Sequence, residues 1–533
     1  MRVLETLPSL RTSRNPLAAF GFFVVVILGA YLASEAILAN DLTNLALAAL
    51  LFVAGAVFIA VLNDWRRGLY ILIAWVLFED IVRKYLNNNM AIYFAKDALT
   101  IILYFSFFLG KRVNKIERFR VPFRIALLVF FWFGLLQMFN PGSPSIFYGI
   151  LGMKVNFLYV PLIYVGYALL ESEEDLHRLF CFACVLILVV AGLGLAQSII
   201  GPTFLNPPHL QEDIREMSTL YRVSPISGLL SYRPTSVFVS AARFQDFLIV
   251  SWIIALGFGG YLLLRSRRSR TLAFTTIGVV AAASIMSASR GVFMWNMGTT
   301  MVMSVGFLWG SPWRQRETIR VLRAVQRTAL LVGIGSILLQ TLFPEELGSR
   351  LGLYADTLMP DSPASELVHR TQTYPMQQLG YAFDHPRWPY GYGIGTCTLG
   401  GQYVRRIMGA EPTNVGVESG FGDLVVELGI VGLILWIILG FSIAISTFKV
   451  VKELRGTAWF PLAFAIWFYA VLLFFPMTYT GVPYQDFVLN SFLWVLLGVV
   501  YRLPVFLKAA QPGLKPPSEL RDTLATDGVL FPS

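Results

Sequence analysis

The sequence predicts an all-α polytopic membrane protein with about 14 transmembrane helices. Three observations predict it. Of 533 residues, 56% are hydrophobic and only 14% charged, where a soluble domain carries about 25% charged residues. The apolar residues gather in runs close to the roughly 20 residues that a helix needs to cross a bilayer. The basic residues gather in the connections on one side of those runs.

The runs fall at 16–38, 44–62, 68–86, 91–109, 121–139, 149–170 and 179–200. They continue at 244–264, 271–289, 291–309, 328–343, 422–447, 457–476 and 487–507. With both termini inside, the cytoplasmic connections are 63–67, 110–120, 171–178, 265–270, 310–327 and 448–456. These segments and the termini hold most of the 42 Lys and Arg, including KRVNKIERFR, RSRRSR and RQRETIRVLRAVQR, so the positive-inside rule supports this topology. The same rule accounts for the net charge of +10 without a nucleic-acid partner. The first run follows Arg2, Arg11 and Arg14 and lacks a small-residue cleavage site, which reads as a retained first helix.

The chain divides accordingly into a helical body over 1–343, a large external loop over 344–421, further spans over 422–507 and a polar cytoplasmic tail over 508–533. A second external segment covers 201–243. Loops of such length in a compact protein are functional or disordered, and the Tyr and Trp of 344–421 argue for order. Of the three cysteines, Cys181 and Cys184 form a CxxC inside the apolar run RLFCFACVLILVV, which reads as packing rather than redox chemistry.

Four external features carry ionisable groups. SASRG, 287–291, is a tight hinge that leaves Arg290 at the membrane–water boundary. SYRPTSVFVSAARFQDF, 231–247, offers Arg233 before a helix, and Arg243 with Asp246 at a spacing suited to an intrahelical ion pair. HRTQTYPMQQLGYAFDHPRWPYGYGIGT, 369–396, offers His369, Arg370, His385 and Arg387, and its glycines read as a bend rather than a nucleotide loop. NVGVESGFGDLVVELGIVGLILW, 414–436, places Glu418, Asp423 and Glu427 at the mouth of a membrane helix. Acidic residues suit a helix N-terminus, which accounts for Asp423 better than for Glu427 one turn deeper. Arginine binds phosphate oxygens bidentately and stays charged, so external arginines opposite carboxylates suit an anionic lipid-linked substrate. Arginine can stabilise a departing diphosphate and a carboxylate can take a proton from an attacking hydroxyl. No external DxD or His/Asp cluster points to a metal, and no cofactor is implied.

In the order and spacing of these motifs the chain resembles the bacterial O-antigen ligase and O-antigen polymerase superfamily. The resemblance covers about 230–445: RPTSVFVSAARFQDFL, the hinge SASRGVFM, Arg370 ahead of the bend HPRWPYGYGIGT, and the helix motif VELGIVGLILW. LGMKVNFLYVPLIYVGY, 151–167, is similar to an early polymerase span with a basic residue at its start, here Lys154. The resemblance implies a GT-C-like helical fold in the inner membrane with an outward-facing site. It also implies a metal-independent, inverting transfer from an undecaprenyl-diphosphate-linked glycan. Arg290, Arg370, Arg233 and Lys154 would hold the diphosphate. A lipid-linked glycan acceptor, the membrane lipids and a chain-length regulator are the implied partners. Ligases of the family carry a histidine nine residues before the Glu of the E-x-G motif; here that position is Glu418, as in polymerase-type members. Glu418 is therefore the expected base, with His385 in reserve and Asp423 and Glu427 in support. Two alternatives stand beside polymerisation: ligase-type transfer to a lipid or protein acceptor, and transport of a lipid-linked sugar, for which Lys96 and Asp97 would be the membrane charges.

Overall fold

The computed structural model describes residues 42–86, 90–114, 119–207, 220–223, 230–265, 269–312, 341–358, 368–398 and 417–509, with a few single residues between them. The predicted runs at 16–38 and 328–343 and most of the C-terminal tail fall largely outside the described residues. The chain forms two compact units, residues 1–79 with 89–117, and residues 80–88 with 118–533.

The first unit contains α1 (Leu42–Asn63), the start of α2 (Trp65–Tyr85) and α3 (Met90–Asn114). Its interior holds a buried ion pair, Lys96 Nζ to Glu79 Oε1 at 2.8 Å, and an edge-on Trp65–Phe107 contact. Burying Lys96 is tolerable because the opposite charge and a backbone carbonyl, that of Tyr93, meet its ammonium.

The second unit begins with the last turn of α2 and continues through α4 (Arg124–Gln137), α5 (Ile146–Phe157), α6 (Leu162–Leu169) and α7 (Glu173–Ile200). A two-stranded antiparallel ribbon follows, β1 (Tyr221–Val223) and β2 (Leu230–Tyr232), with Tyr221 opposite Tyr232. Then come α8 (Ala241–Arg265), α9 (Arg270–Met286), α10 (Arg290–Gly310), α11 (Pro344–Leu358), α12 (Tyr374–Asp384), α13 (Gly420–Glu453), α14 (Phe460–Leu472) and α15 (Phe487–Ala509).

Among the described residues, eight helical segments are long and apolar enough to cross a membrane. They coincide with the runs predicted at 91–109, 149–170, 179–200, 244–264, 291–309, 422–447, 457–476 and 487–507. The runs at 121–139 and 271–289 form apolar helices of 14 and 17 residues, and the run at 44–62 forms α1. The run at 68–86 is helical but carries Glu79, Asp80, Arg83 and Lys84.

Local chemistry sets several helix starts. Ser172 and Asp175 form a reciprocal capping box at α7, and Ser145 caps α5 through Phe147 N. Packing between spans uses small residues: a Cβ on Gly166 of α6 would strike Val495 O, and one on Gly498 of α15 would strike Ile163 O. Backbones this close are the usual means of joining helices in lipid, where apolar burial adds little.

Charge is buried in the second unit as a network. Asp80 at the end of α2 meets Arg243 at 2.8 Å and Arg83 at 3.3 Å. Arg243 also faces Asp486, just before α15, at 3.6 Å. The intrahelical Arg243–Asp246 pair expected from spacing is therefore not the pairing found. Ion-pair partners far apart in sequence take the guanidinium because buried carboxylates need cations: Asp80 shares it with Arg83, and Asp486 meets it from the other side.

Candidate functional site

The hinge SASRG is a sharp turn. Helix α9 ends at Met286, Ala288 takes a left-handed backbone at φ +52°, and α10 begins at Arg290. A non-glycine residue in that region is uncommon and marks a conformation imposed by its surroundings. Ser289 caps α10 by accepting from Val292 N at 3.4 Å, and Arg290 is buried to 7% exposure.

Arg233 follows directly on β2, with its N–H donating to Leu220 O at 2.7 Å. Its guanidinium meets the Gln245 amide oxygen at 3.1 and 3.2 Å, with the amide turned so that its nitrogen donates to Ser289 Oγ at 3.0 Å. Gln245 therefore joins Arg233 to the residue that caps the Arg290 helix. Burial, and then the charge of Arg222, lowers Arg233 to about 10, so the group is cationic at neutral pH.

Helix α11 is seated on this hinge by an arginine that sequence reading missed. Arg350, at 2% exposure, donates to Met286 O at 2.9 Å, Ser198 O at 3.2 Å and Tyr232 O at 3.4 Å. It also donates to Glu346 O within its own helix. Two of those carbonyls lie at the C-terminal ends of α7 and α9, where the helix dipole favours a cation. Tyr354 adds a hydrogen bond to Ile285 O at 2.7 Å and stacks on Phe293 of α10 at 4.8 Å.

The bend HPRWPYGYGIGT and the helix motif VELGIVG lock together. Helix α13 is broken at Gly429, whose φ is +71°. In an unbroken helix Ile430 N–H would donate to Val426 O. Here Ile430 N donates to Trp388 O at 3.1 Å, and Tyr392 N donates to Val426 O at 2.8 Å. Gly393 N takes Glu427 O at 2.9 Å. The bend thus satisfies backbone groups that the break releases, which is the condition for irregular backbone at membrane depth.

Gly391, Gly393 and Gly395 all have positive φ. A side chain on Gly391 would overlap Glu427 O, and one on Gly395 would overlap Tyr148 O of α5. Glu427 closes the lock through Oε1, which accepts from Cys397 N and Thr398 Oγ1 at 2.9 Å each. One turn earlier, Asp423 Oδ2 accepts from Tyr484 OH at 3.1 Å and from Gln485 Nε2. Both carboxylates are buried, and among the described residues their partners are neutral.

Glu418 stands apart from that pair. Its side chain is exposed, and its N–H donates to Gln378 Oε1 of α12 at 2.9 Å. His385, two turns along from Gln378, ends α12 and sets its ring edge-on to Tyr392. Helix α12 therefore borders both residues singled out as the base. Lys154 lies on α5, two residues beyond Gly152, which packs on the backbone of Gly395. Arg370 falls in the π-helical turn His369–Thr373 before α12, and its side chain lies outside the described residues. The structure thus joins Arg233 to the hinge of Arg290, and Glu427 to the bend. Among the described residues no group of three or more His, Cys, Asp and Glu is gathered to hold a metal ion.

No known protein-family model matches the chain, and comparison with curated protein sequences gives no significant match.

Proposed function

We propose that this chain is an integral-membrane glycosyltransferase that polymerises undecaprenyl-diphosphate-linked oligosaccharides into a surface polysaccharide. In this reading it has about 14 spans in a GT-C-like arrangement, lies in the bacterial inner membrane and works on the outer side. One observation carries the proposal. The four sequence motifs on which the family resemblance rests pair up physically, Arg233 with the SASRG hinge through Gln245, and the glycine bend with the broken E-x-G helix. Motifs that are far apart in sequence yet mutually required in the fold are what a shared architecture would preserve.

In this reading a hydroxyl of the acceptor glycan attacks the anomeric carbon of the donor. The bond from that carbon to the diphosphate oxygen breaks, and the configuration inverts. Glu418, exposed at the start of α13, takes the hydroxyl proton. Arg290 and Arg233, with Arg370, take up the charge that develops on the leaving diphosphate. Asp423 and Glu427 hold the framework beneath Glu418.

The test is reconstitution of the full chain with a defined lipid-linked repeat unit, scored for chain growth. Glu418→Gln is expected to lower elongation by about 10²–10⁴-fold, and Arg290→Ala by about 10²–10³-fold. Full elongation in both folded variants sinks the mechanism. A ladder of products supports polymerisation, whereas a single addition to a different acceptor supports ligase-type transfer. A transport reading draws on the buried Lys96–Glu79 pair. It predicts movement of the lipid-linked sugar across vesicles without a new glycosidic bond.

A further inference from the structure

We propose that a groove at the far end of α13 holds the phosphate headgroup of an anionic glycerophospholipid. The groove has a volume of about 540 Å³ and lies between the start of α4, the end of α13 and α15. That volume is within the range of ligand sites, roughly 300–1,000 Å³. This site is independent of the glycosyltransferase reading.

The lining is divided by chemistry. Phe123, Ile125 and Ile445 make an apolar wall, and Ser446, Lys449 and Tyr501 make a polar end. Tyr501 OH is 2.9 Å from both Ser446 Oγ and Thr447 Oγ1, so the hydroxyls are held as a cluster. Ile125 and Ile445 are 72% and 57% exposed, as side chains facing hydrocarbon would be.

The polar end is cationic, and among the described residues no acidic group compensates it. Among the described residues Lys449 makes no ion pair, and Glu453, one turn on, is paired with Lys508 at 4.0 Å. Arg124, between two lining residues in sequence, is exposed and likewise makes no ion pair among the described residues. Among the described residues no Asp or Glu lines the groove.

Position completes the argument. Lys449 lies about 30 Å along α13 beyond the break at Gly429, at 1.5 Å per residue, which matches a hydrocarbon core of about 30 Å, and Glu418 precedes the break. The groove therefore sits at the opposite membrane face from Glu418, the face to which the basic connections are assigned. A basic pocket between spans on that face suits an anionic headgroup. The exposed isoleucines require a hydrocarbon body on the same molecule, which a free phosphate lacks. The cations, which have no acidic partner among the described residues, disfavour a zwitterion.

Native mass spectrometry of the full chain in detergent tests the site, with phosphatidylglycerol, phosphatidylcholine and inorganic phosphate as probes. Phosphatidylglycerol is expected to be retained in preference to phosphatidylcholine, with inorganic phosphate failing to displace it at equal concentration. Lys449→Glu combined with Arg124→Glu is expected to lower that retention by at least about tenfold, and Lys449→Arg to preserve it. The wild-type comparison needs no variant: equal retention of the two lipids overturns the proposal. So does displacement by inorganic phosphate, or undiminished phosphatidylglycerol binding in the folded double variant.

Discussion

Asp80 and Asp486 meet arginine in the interior of the second unit, whereas Asp423 and Glu427 meet hydroxyl, amide and backbone donors. In the first cluster Arg243 bridges the end of α2 and the segment before α15, from a position at the start of α8. In the second, two carboxylates on one face of α13 accept from Tyr484 and Gln485 and from Cys397 and Thr398. The ionic cluster ties together elements remote in sequence, and each charge there depends on its counter-ion. The neutral-donor cluster ties a loop and a pre-helix segment to a broken helix. There the carboxylate serves as an acceptor, which a group without charge can also supply.

The contrast breaks most visibly at Arg243. Arg243→Ala leaves Asp80 and Asp486 buried without their shared cation, and removing one partner of a buried pair costs about 3–5 kcal/mol. Thermal unfolding of the detergent-purified protein should register that loss. Arg243→Ala combined with Asp486→Asn should recover part of it, because the carboxylate that depends on Arg243 is then neutral, whereas Asp80 keeps Arg83. An unchanged melting temperature in the single variant would show that the network contributes nothing to stability.

Gly429→Ala comes next. The added Cβ would overlap Pro389 O, at a backbone φ of +71°. A cost of about 1–3 kcal/mol is expected for forcing that geometry. Hydrogen exchange gives the local readout: the Tyr392 and Gly393 amides, which donate to Val426 O and Glu427 O, should lose protection before the rest of the unit. Retained protection at those amides would refute the exchange of helix bonds for loop bonds.

Much of the helical architecture was legible because apolar runs of sufficient length leave a hydrogen-bonded helix as the main way through lipid. The glycine bend was legible too, since three glycines at alternate positions mark backbone that side chains would obstruct. What escaped the sequence was long-range pairing. Spacing offered Asp246 to Arg243, and nothing local in the sequence points to Asp80, 163 residues away. Arg350 escaped for a similar reason: its acceptors are the carbonyls of Met286, Ser198 and Tyr232, and a backbone carbonyl has no residue type to recognise. The break at Gly429 was hidden because glycine in a membrane helix more often marks close packing. Glu418 was legible as a position, while its place beside α12 required the fold.

The smallest effects fall on the neutral-donor cluster. Glu427→Gln keeps an oxygen for Cys397 N and Thr398 Oγ1, so its cost should stay within about 1 kcal/mol, against about 1–3 kcal/mol for Glu427→Leu, which strands both donors. Cys397 reports on the same cluster by chemistry. Burial, then the charges of Asp423 and Glu427, raises its thiol well above the ordinary value. The thiolate is the reactive form, so at pH 8 Cys397 should alkylate more slowly than an unstructured cysteine, with its rate rising only at higher pH. Removing either carboxylate charge favours the thiolate. The alkylation profile should therefore move to lower pH in Asp423→Asn and, by a smaller step, in Glu427→Gln. Profiles that coincide with wild type in both variants would mean that the carboxylates are not charged neighbours of the thiol, and the distinction between the two buried clusters would have to be redrawn.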